Sequence, residues 1–315
     1  MVEWWNRHQV VLYILALAFG AGLGLVTPGV AGHLESAINP VLMLLLYATF
    51  LGVPFVELPR VFRDARFLGA VVILNFIIVP VVVYLLTRPV AAEPALAIGV
   101  MLVLLAPCID YVIVFSGIAG AANDRLLAVS PLLMLLQMLL LPVYMSLFSD
   151  AGLGAIINIG PFIEAFVLLI LVPLALAAAT QFIARTSRAG VGVCAFFEAL
   201  MVPLMMLTLA VVVASQILSV RSELGALLAV IPIFVAFLII MVPLGILVGR
   251  MARQDTRGIR ALVFSGATRN SLVVLPLALA LPAELALVAA VVVTQTLVEL
   301  VGMIVYVRVV PFLVR

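Results

Sequence analysis

The chain has 315 residues, of which 67% are hydrophobic and 10% charged, with a net charge of +2 and a mean hydropathy of +1.42. This composition excludes an ordinary soluble domain, because the apolar residues exceed what one core can bury and fall in runs of about 20, the length that crosses a bilayer. We therefore predict an all-α polytopic membrane protein that lies in the lipid bilayer and has no nucleic-acid partner.

Apolar runs between polar breaks predict ten transmembrane spans. Their approximate bounds are residues 9–28, 38–55, 66–87, 94–119, 125–149, 156–184, 191–216, 223–249, 259–281 and 284–311. Most arginines lie at the two ends of the chain and in the even-numbered connections, whereas the odd-numbered connections carry only Arg88 and Arg221. By the positive-inside rule both termini are cytoplasmic, in a multi-pass protein of the cell membrane.

Two of these spans contain a short polar interruption. The fourth reads Ala-Pro-Cys-Ile-Asp at residues 106–110, and the ninth reads Gly-Ala-Thr-Arg-Asn at residues 266–270. An ionisable residue at bilayer depth costs at least about 2.5–3.5 kcal/mol, so it persists mainly beside a partner or a water-filled cavity. Because Pro107 removes a backbone donor and Gly266 permits irregular backbone, we expect both spans to be broken there, with Asp110 and Arg269 at the breaks.

The two halves of the chain resemble each other weakly. Pro-Val-Leu-Met-Leu from Pro40 matches Pro-Leu-Met-Met-Leu from Pro203, and Val79-Pro80 matches Val242-Pro243 at the same offset. Five spans in each half would place residues 156–315 in the membrane upside down relative to residues 1–155. Such inverted repeats are typical of secondary transporters, whose substrate sites lie where discontinuous helices meet.

Crossing the two broken spans would gather a set of polar residues at one point. The candidate substrate-binding residues are Cys108, Asp110, Thr268, Arg269 and Asn270. Polar positions on neighbouring spans supply candidates for coupling or for lining the cavity, namely Glu299, Gln295, Gln137, Ser130 and Asn75. Only two cysteines occur, Cys108 and Cys194, so the sequence indicates no disulfide framework, resident metal site or cofactor.

Each of the main candidates also has a purely structural interpretation. Asp110 and Arg269 could form a buried ion pair that only fixes the packing of the two spans. Glu299 could be a protonated side chain hydrogen-bonded to Gln295, one helical turn away. Cys108 could be a small buried apolar residue, as cysteines outside disulfides usually are.

These motifs together resemble the bile acid/sodium symporter superfamily, including its arsenite-exporter branch. Ala106-Pro107-Cys108 is similar to the Ala-Pro-Cys of arsenite exporters, in which the cysteine is functionally required, and Asn270 matches an asparagine common to the ninth span of both branches. The resemblance implies a panel domain of spans 1, 2, 6 and 7. It also implies a core domain of spans 3–5 and 8–10 that holds the crossing helices.

The sequence departs from the sodium-coupled members at the positions that bind sodium. In the ninth span Ser265 and Arg269 replace the family's Glu and Gln, and in the fourth span Val112 and Ile113 replace its Ser and Asn. A guanidinium cannot coordinate sodium and would repel it, so we expect no sodium coupling. The glutamate of the arsenite exporters' ninth-span motif is also missing, so Asp110 or Glu299 would have to replace it.

The sequence therefore predicts a secondary transporter. The first hypothesis is an antiporter for arsenic resistance, which exports arsenite or antimonite in exchange for protons. Trivalent arsenic is thiophilic and would bind Cys108. The alternative substrate is a small organic anion held by Arg269 and the helix ends. An enzyme is not indicated, because the chain has only His8 and His33 and contains no Gly-x-Ser-x-Gly motif.

Overall fold

The computed structural model describes residues 2–27, 29, 31–52, 64–108, 111–148, 167–279 and 281–315. All regular elements in these ranges are helical. The first half has α1 (Val2–Val26), α2 (Ala31–Gly52), α3 (Ala65–Ile73), α4 (Val79–Thr87), α5 (Pro94–Leu104), α6 (Tyr111–Ile118) and α7 (Asn123–Phe148). The second half has α8 (Val172–Ala184), α9 (Arg188–Ser222), α10 (Leu224–Leu227), α11 (Ile231–Met251), α12 (Thr256–Ala267), α13 (Ser271–Leu279) and α14 (Leu287–Leu313).

Five helical segments are long and apolar enough to cross a membrane within the part of the chain that the structure describes. A sixth is obtained if the two parts of α7, which meet at an angle of 46°, form one bent span. Four predicted spans do not qualify. The apolar part of the first, Val11–Val26, is too short, the fourth and ninth are each divided into two short helices, and the sixth begins outside the described residues. The chain is thus a multi-pass membrane protein, and the ten-span inverted repeat stays a prediction.

The described helices form two compact units. One contains α1, α2, α8 and α9, and the other contains the remaining helices. The boundary between the two predicted repeats, at residues 155 and 156, lies outside the described residues.

Small residues allow close helix packing in the first unit. A Cβ added to Gly20 of α1 would lie 2.5 Å from the backbone oxygen of Ala210 in α9, and Gly24 lies equally tightly against Ala214. Close backbone approach of this kind is the usual way in which helices associate in lipid. Where α2 meets α8, hydrogen bonds add to the packing: the hydroxyl groups of Tyr47 and Thr180 lie 2.8 Å apart.

The second unit encloses its broken helices. Residues 96–104 of α5, 261–267 of α12 and 271–278 of α13 are all buried. Gly99 brings α5 against Val291 of α14, and Gly245 brings α11 against Val263 of α12, so that an added Cβ would meet a neighbour at 2.7 Å in both cases. The irregular backbone between these helices therefore lies inside protein, as its unpaired polar groups require.

A π-helical turn, Leu74–Ile78, separates α3 from α4. Pro80 lacks the N–H group that would otherwise bond the carbonyl of Phe76. The hydroxyl of Tyr144 in α7 donates to that carbonyl instead, at 2.5 Å. Wide turns of this type are frequent at functional sites, and this one contains the buried Asn75.

Candidate functional site

The two interruptions in the second unit pair with each other. Between α5 and α6 the backbone N–H of Cys108 donates to the carbonyl of Thr268 at 3.1 Å, and the N–H of Asn270 donates to the carbonyl of Ala106 at 2.7 Å. Pro107 and Arg269 lie opposite each other in this short antiparallel bridge. Buried backbone groups must find partners, so each broken helix satisfies the other. We call residues 106–108 and 268–270 the bridge.

The guanidinium of Arg269 is surrounded by oxygen atoms. Its Nη2 donates to the carbonyls of Ser265 at 2.7 Å and Gly266 at 2.6 Å, and to Oδ1 of Asn75 at 2.9 Å. Its Nη1 donates to the carbonyl of Leu104 at 3.3 Å. The side chain is fully buried, and its Cζ lies 5.4 Å from the centre of the Phe237 ring. The positive charge therefore lies at the C-terminal ends of α5 and α12, where helix carbonyls are unpaired and negative.

Asn75 is held in the orientation that this contact needs. Its Nδ2 donates to the carbonyl of Val71 and to the hydroxyl of Ser265, both at 3.0 Å. With the amide nitrogen engaged in this way, Oδ1 is left to accept from Arg269. The π-helical turn places Asn75 in the interior, so the third predicted span contributes directly to the surroundings of Arg269.

Glu299 of α14 bonds the backbone of the bridge and not the guanidinium of Arg269. Its carboxyl group accepts from the backbone N–H of Arg269 at 2.8 Å, from the hydroxyl of Tyr111 and from Nε2 of Gln295. The same Tyr111 hydroxyl lies 3.1 Å from the carbonyl of Arg269. Glu299 thus contacts the backbone of Arg269, whereas the guanidinium of that residue bonds carbonyl groups.

The structure brings most of the predicted site residues to the bridge. Cys108, Thr268, Arg269 and Asn270 form it, and Asn75, Gln295 and Glu299 bond to it directly or through one another. Asp110 lies outside the described residues, as does its predicted ion pair with Arg269.

Two candidates on α7 are buried but are not connected to the bridge by hydrogen bonds of the described residues. Ser130 donates to the carbonyl of Leu126 in its own helix at 2.8 Å. Gln137 has no hydrogen-bond partner for either amide atom in the described part of the chain. They remain predicted cavity-lining residues.

Several polar atoms at the bridge are available for further bonds. Asn270 accepts from the N–H of Val273 at 3.3 Å and so caps α13, but its Nδ2 has no partner among the described residues. Oε1 of Gln295 also has no hydrogen-bond partner among the described residues. A buried polar group without a partner is costly, so these atoms are well suited to contact a bound solute.

Sequence reasoning missed one member of this cluster. Tyr111 is 3% exposed, and its hydroxyl connects the carboxyl group of Glu299 with the backbone of the ninth-span break. The available signal was a tyrosine directly after the fourth-span interruption, since a buried tyrosine hydroxyl normally has a hydrogen-bond partner.

Two broken helices that pair inside a multi-pass membrane protein, with ionisable side chains buried at the pairing, define the class of membrane transport proteins. The sequence model of the Sodium Bile acid symporter family matches residues 39–223, more than half of the chain. The chain therefore belongs to this family, whose members are transporters and not enzymes. The match includes the fourth-span break and ends before the ninth. No curated protein matches the chain, and membership of the arsenite-exporter branch stays a prediction.

Proposed function

We propose that this chain is a sodium-independent secondary transporter that exports arsenite or antimonite in exchange for protons. The observation that carries the proposal is the bridge, because it places a thiol, Cys108, and a carboxyl group, Glu299, in one buried cluster of the second unit. In this proposal ten spans in two inverted repeats, residues 1–155 and 156–315, lie in the cell membrane with both termini in the cytoplasm. The bridge is the point where the substrate binds.

The chemistry assigned to Cys108 is reversible. Its thiol condenses with one As–OH group of neutral arsenous acid, forming an S–As bond and releasing one water molecule, and water reverses the step on release. One thiol binds arsenic more weakly than three would, which suits a carrier that must release its cargo. Nδ2 of Asn270, without a partner in the described residues, can donate to a remaining hydroxyl oxygen of the substrate.

Glu299 is assigned the coupled proton. It is 1% exposed and accepts three hydrogen bonds, from Tyr111, Gln295 and the backbone of Arg269. Ionisable residues at such positions in membrane proteins commonly belong to proton relays. A carboxyl group that gains a proton loses one acceptor position, so protonation would change the hydrogen bonds that hold the bridge.

A small organic anion agrees with the family match equally well. The arrangement of Arg269 changes how such a substrate would be held, because the guanidinium bonds carbonyl groups and Asn75. Three buried donor groups at the bridge or next to it have no partner among the described residues and remain for an anion: Nδ2 of Asn270, Nε of Arg269 and the hydroxyl of Ser271. Ser271 is the first residue of α13, at the positive end of that helix.

The test is flux of arsenite into vesicles that contain the purified protein, with and without an imposed pH gradient. We expect gradient-dependent uptake by the wild type and its loss in Cys108→Ser, a nearly isosteric change that leaves the bridge backbone intact. Cys194→Ser, which changes the other cysteine in α9, is the matched control and should transport normally.

Two results separate the hypotheses. Normal arsenite flux in Cys108→Ser would contradict the thiol mechanism. Absence of arsenite flux in the wild type, together with gradient-dependent uptake of small carboxylates, would replace the metalloid by the organic anion.

A further inference from the structure

The Arg269 guanidinium lies where a positive ion would be expected to bind. Four oxygen atoms accept from it, three of them backbone carbonyls and one the amide oxygen of Asn75, at 2.6–3.3 Å. Uncharged oxygens of this kind are the ligands that proteins offer to alkali and alkaline-earth cations. The group is fully buried, so solvent does not share its coordination.

The origin of this oxygen cluster is the end of two helices. Leu104 is the last residue of α5, and Ser265 and Gly266 lie in the last turn of α12. The final carbonyls of a helix have no partner within it and carry the negative end of the helix dipole. Two such ends meeting in a buried place repel each other unless a cation lies between them.

The chain supplies that cation from one of its own side chains. Arg269 follows the end of α12, and its side chain turns back to bond the carbonyls three and four residues before it. Gly266 also lets the end of α12 pack closely against α11 and the π-helical turn, because a Cβ added to it would lie 2.8 Å from Met241 and 2.9 Å from Leu74. A covalently attached guanidinium fills the site without the entropy cost of binding a free ion.

We propose that the oxygen cluster formed by Leu104, Ser265, Gly266 and Asn75 is a cation-binding site that the guanidinium of Arg269 occupies permanently. Removing that side chain opens the site to a small diffusible cation. Arg269 is thus a positioning residue that holds the ends of α5 and α12 and the π-helical turn together. This inference concerns the folded core and does not depend on which substrate is transported.

The experiment measures thermal unfolding of the full-length protein in detergent, for the wild type and for Arg269→Ala. Sodium, potassium or low-millimolar guanidinium chloride is compared with choline chloride at equal ionic strength. A ligand that binds only the folded state raises its stability with the logarithm of its concentration. We expect Arg269→Ala to unfold several degrees below the wild type in choline, and to recover in a saturable way with sodium or guanidinium. The wild type should respond to neither.

Two further variants identify the site. Asn75→Leu combined with Arg269→Ala removes one of the four oxygens, and should raise the half-saturating cation concentration by about tenfold or more, the effect of one lost hydrogen bond to a charged group. Arg257→Ala removes an exposed arginine of α12, whose Nη2 lies 3.8 Å from Oδ1 of Asp124. It should show no cation response.

Arg269→Lys and Arg269→Gln separate charge from size. The ammonium of the lysine variant keeps a tethered cation, so this variant should fold in choline and ignore sodium, whereas the glutamine variant should behave like Arg269→Ala.

The proposal fails if Arg269→Ala folds and responds to sodium and guanidinium no more than to choline. It fails equally if the lysine and glutamine variants behave alike, or if neither Arg269→Ala nor Arg269→Gln folds in any of the four salts. Saturable stabilisation of the wild type by sodium would also overturn it, since the site would then be open.

Discussion

At the scale of single residues, the bridge separates its charges. The backbone N–H of Arg269 donates to Glu299, while the guanidinium of the same residue points to the carbonyls at the ends of α5 and α12. The two charged groups therefore do not neutralise each other by a direct ion pair in the described structure. Uncharged groups bond both of them: oxygen atoms accept from the guanidinium, and N–H and O–H groups donate to the carboxyl group. Protonation of Glu299 therefore removes none of the oxygen atoms that accept from the guanidinium of Arg269.

Tyr111 provides a direct test of the Glu299 cluster. In Tyr111→Phe the carboxyl group loses a hydroxyl donor in a buried place, and we expect a loss of about 1–3 kcal/mol of stability. Tyr84→Phe is the matched control, because its side chain is 38% exposed and its ring remains stacked on Arg88. That control should change stability by less than about 0.5 kcal/mol. Equal midpoints of thermal unfolding for the two variants would mean that the hydroxyl of Tyr111 does not support the bridge.

Among the elements, α12 and the break that follows it each contain an arginine that bonds the carbonyls of helix ends. Arg269 follows the C-terminal end of α12, and Arg260 in the first half of that helix bonds the ends of two other helices. Arg260 donates to the carbonyl of Val314 after α14, at 3.0 Å from Nε and 2.9 Å from Nη2, and to that of Ala119 after α6 at 3.0 Å. Gly120 turns the chain there with a φ of +68°, and a side chain at this position would approach Arg260.

Arg260→Gln should therefore release the C-terminal end of α14. The variant loses charge-assisted bonds to two helix ends, and we expect it to cost about 1–3 kcal/mol and to expose the last residues to carboxypeptidase. Arg257→Gln, an exposed neighbour in the same helix, should cost less than about 1 kcal/mol. If digestion of the C-terminus proceeds at the same rate in both variants, Arg260 does not hold this end of the chain.

At the scale of the whole molecule, the sequence was informative about where the helices break and uninformative about where the side chains point. Pro107, Gly266 and an arginine inside an apolar run were enough to predict both interruptions, because each feature disfavours a continuous helix in lipid. The direction of the Arg269 side chain depends on Asn75 and on the π-helical turn that positions it. Those are long-range contacts, which local patterns do not encode.

Whether α5 and α6 together cross the membrane decides the topology of the whole chain. If they do, Glu93 before α5 and Asp124 at the start of α7 lie on opposite sides; if the bridge instead closes a re-entrant loop, they lie on the same side. Both residues are exposed, so each can be replaced by cysteine in a protein that also carries Cys108→Ser and Cys194→Ser.

We expect an impermeant maleimide added to intact cells to label the cysteine at 93 but not the one at 124, because the positive-inside rule places the arginine-rich connection in the cytoplasm. Arg257 and Glu284 are the equivalent pair on either side of α12 and α13, and each can be replaced by cysteine in the same way. If the two halves form an inverted repeat, the maleimide labels the cysteine at 284 and not the one at 257. Labelling of both members of either pair from the outside would exclude the ten-span arrangement. As a control, the maleimide should label the cysteine at all four positions when the cells are disrupted first. This shows that an unlabelled cysteine in intact cells is on the cytoplasmic side and not buried in the protein.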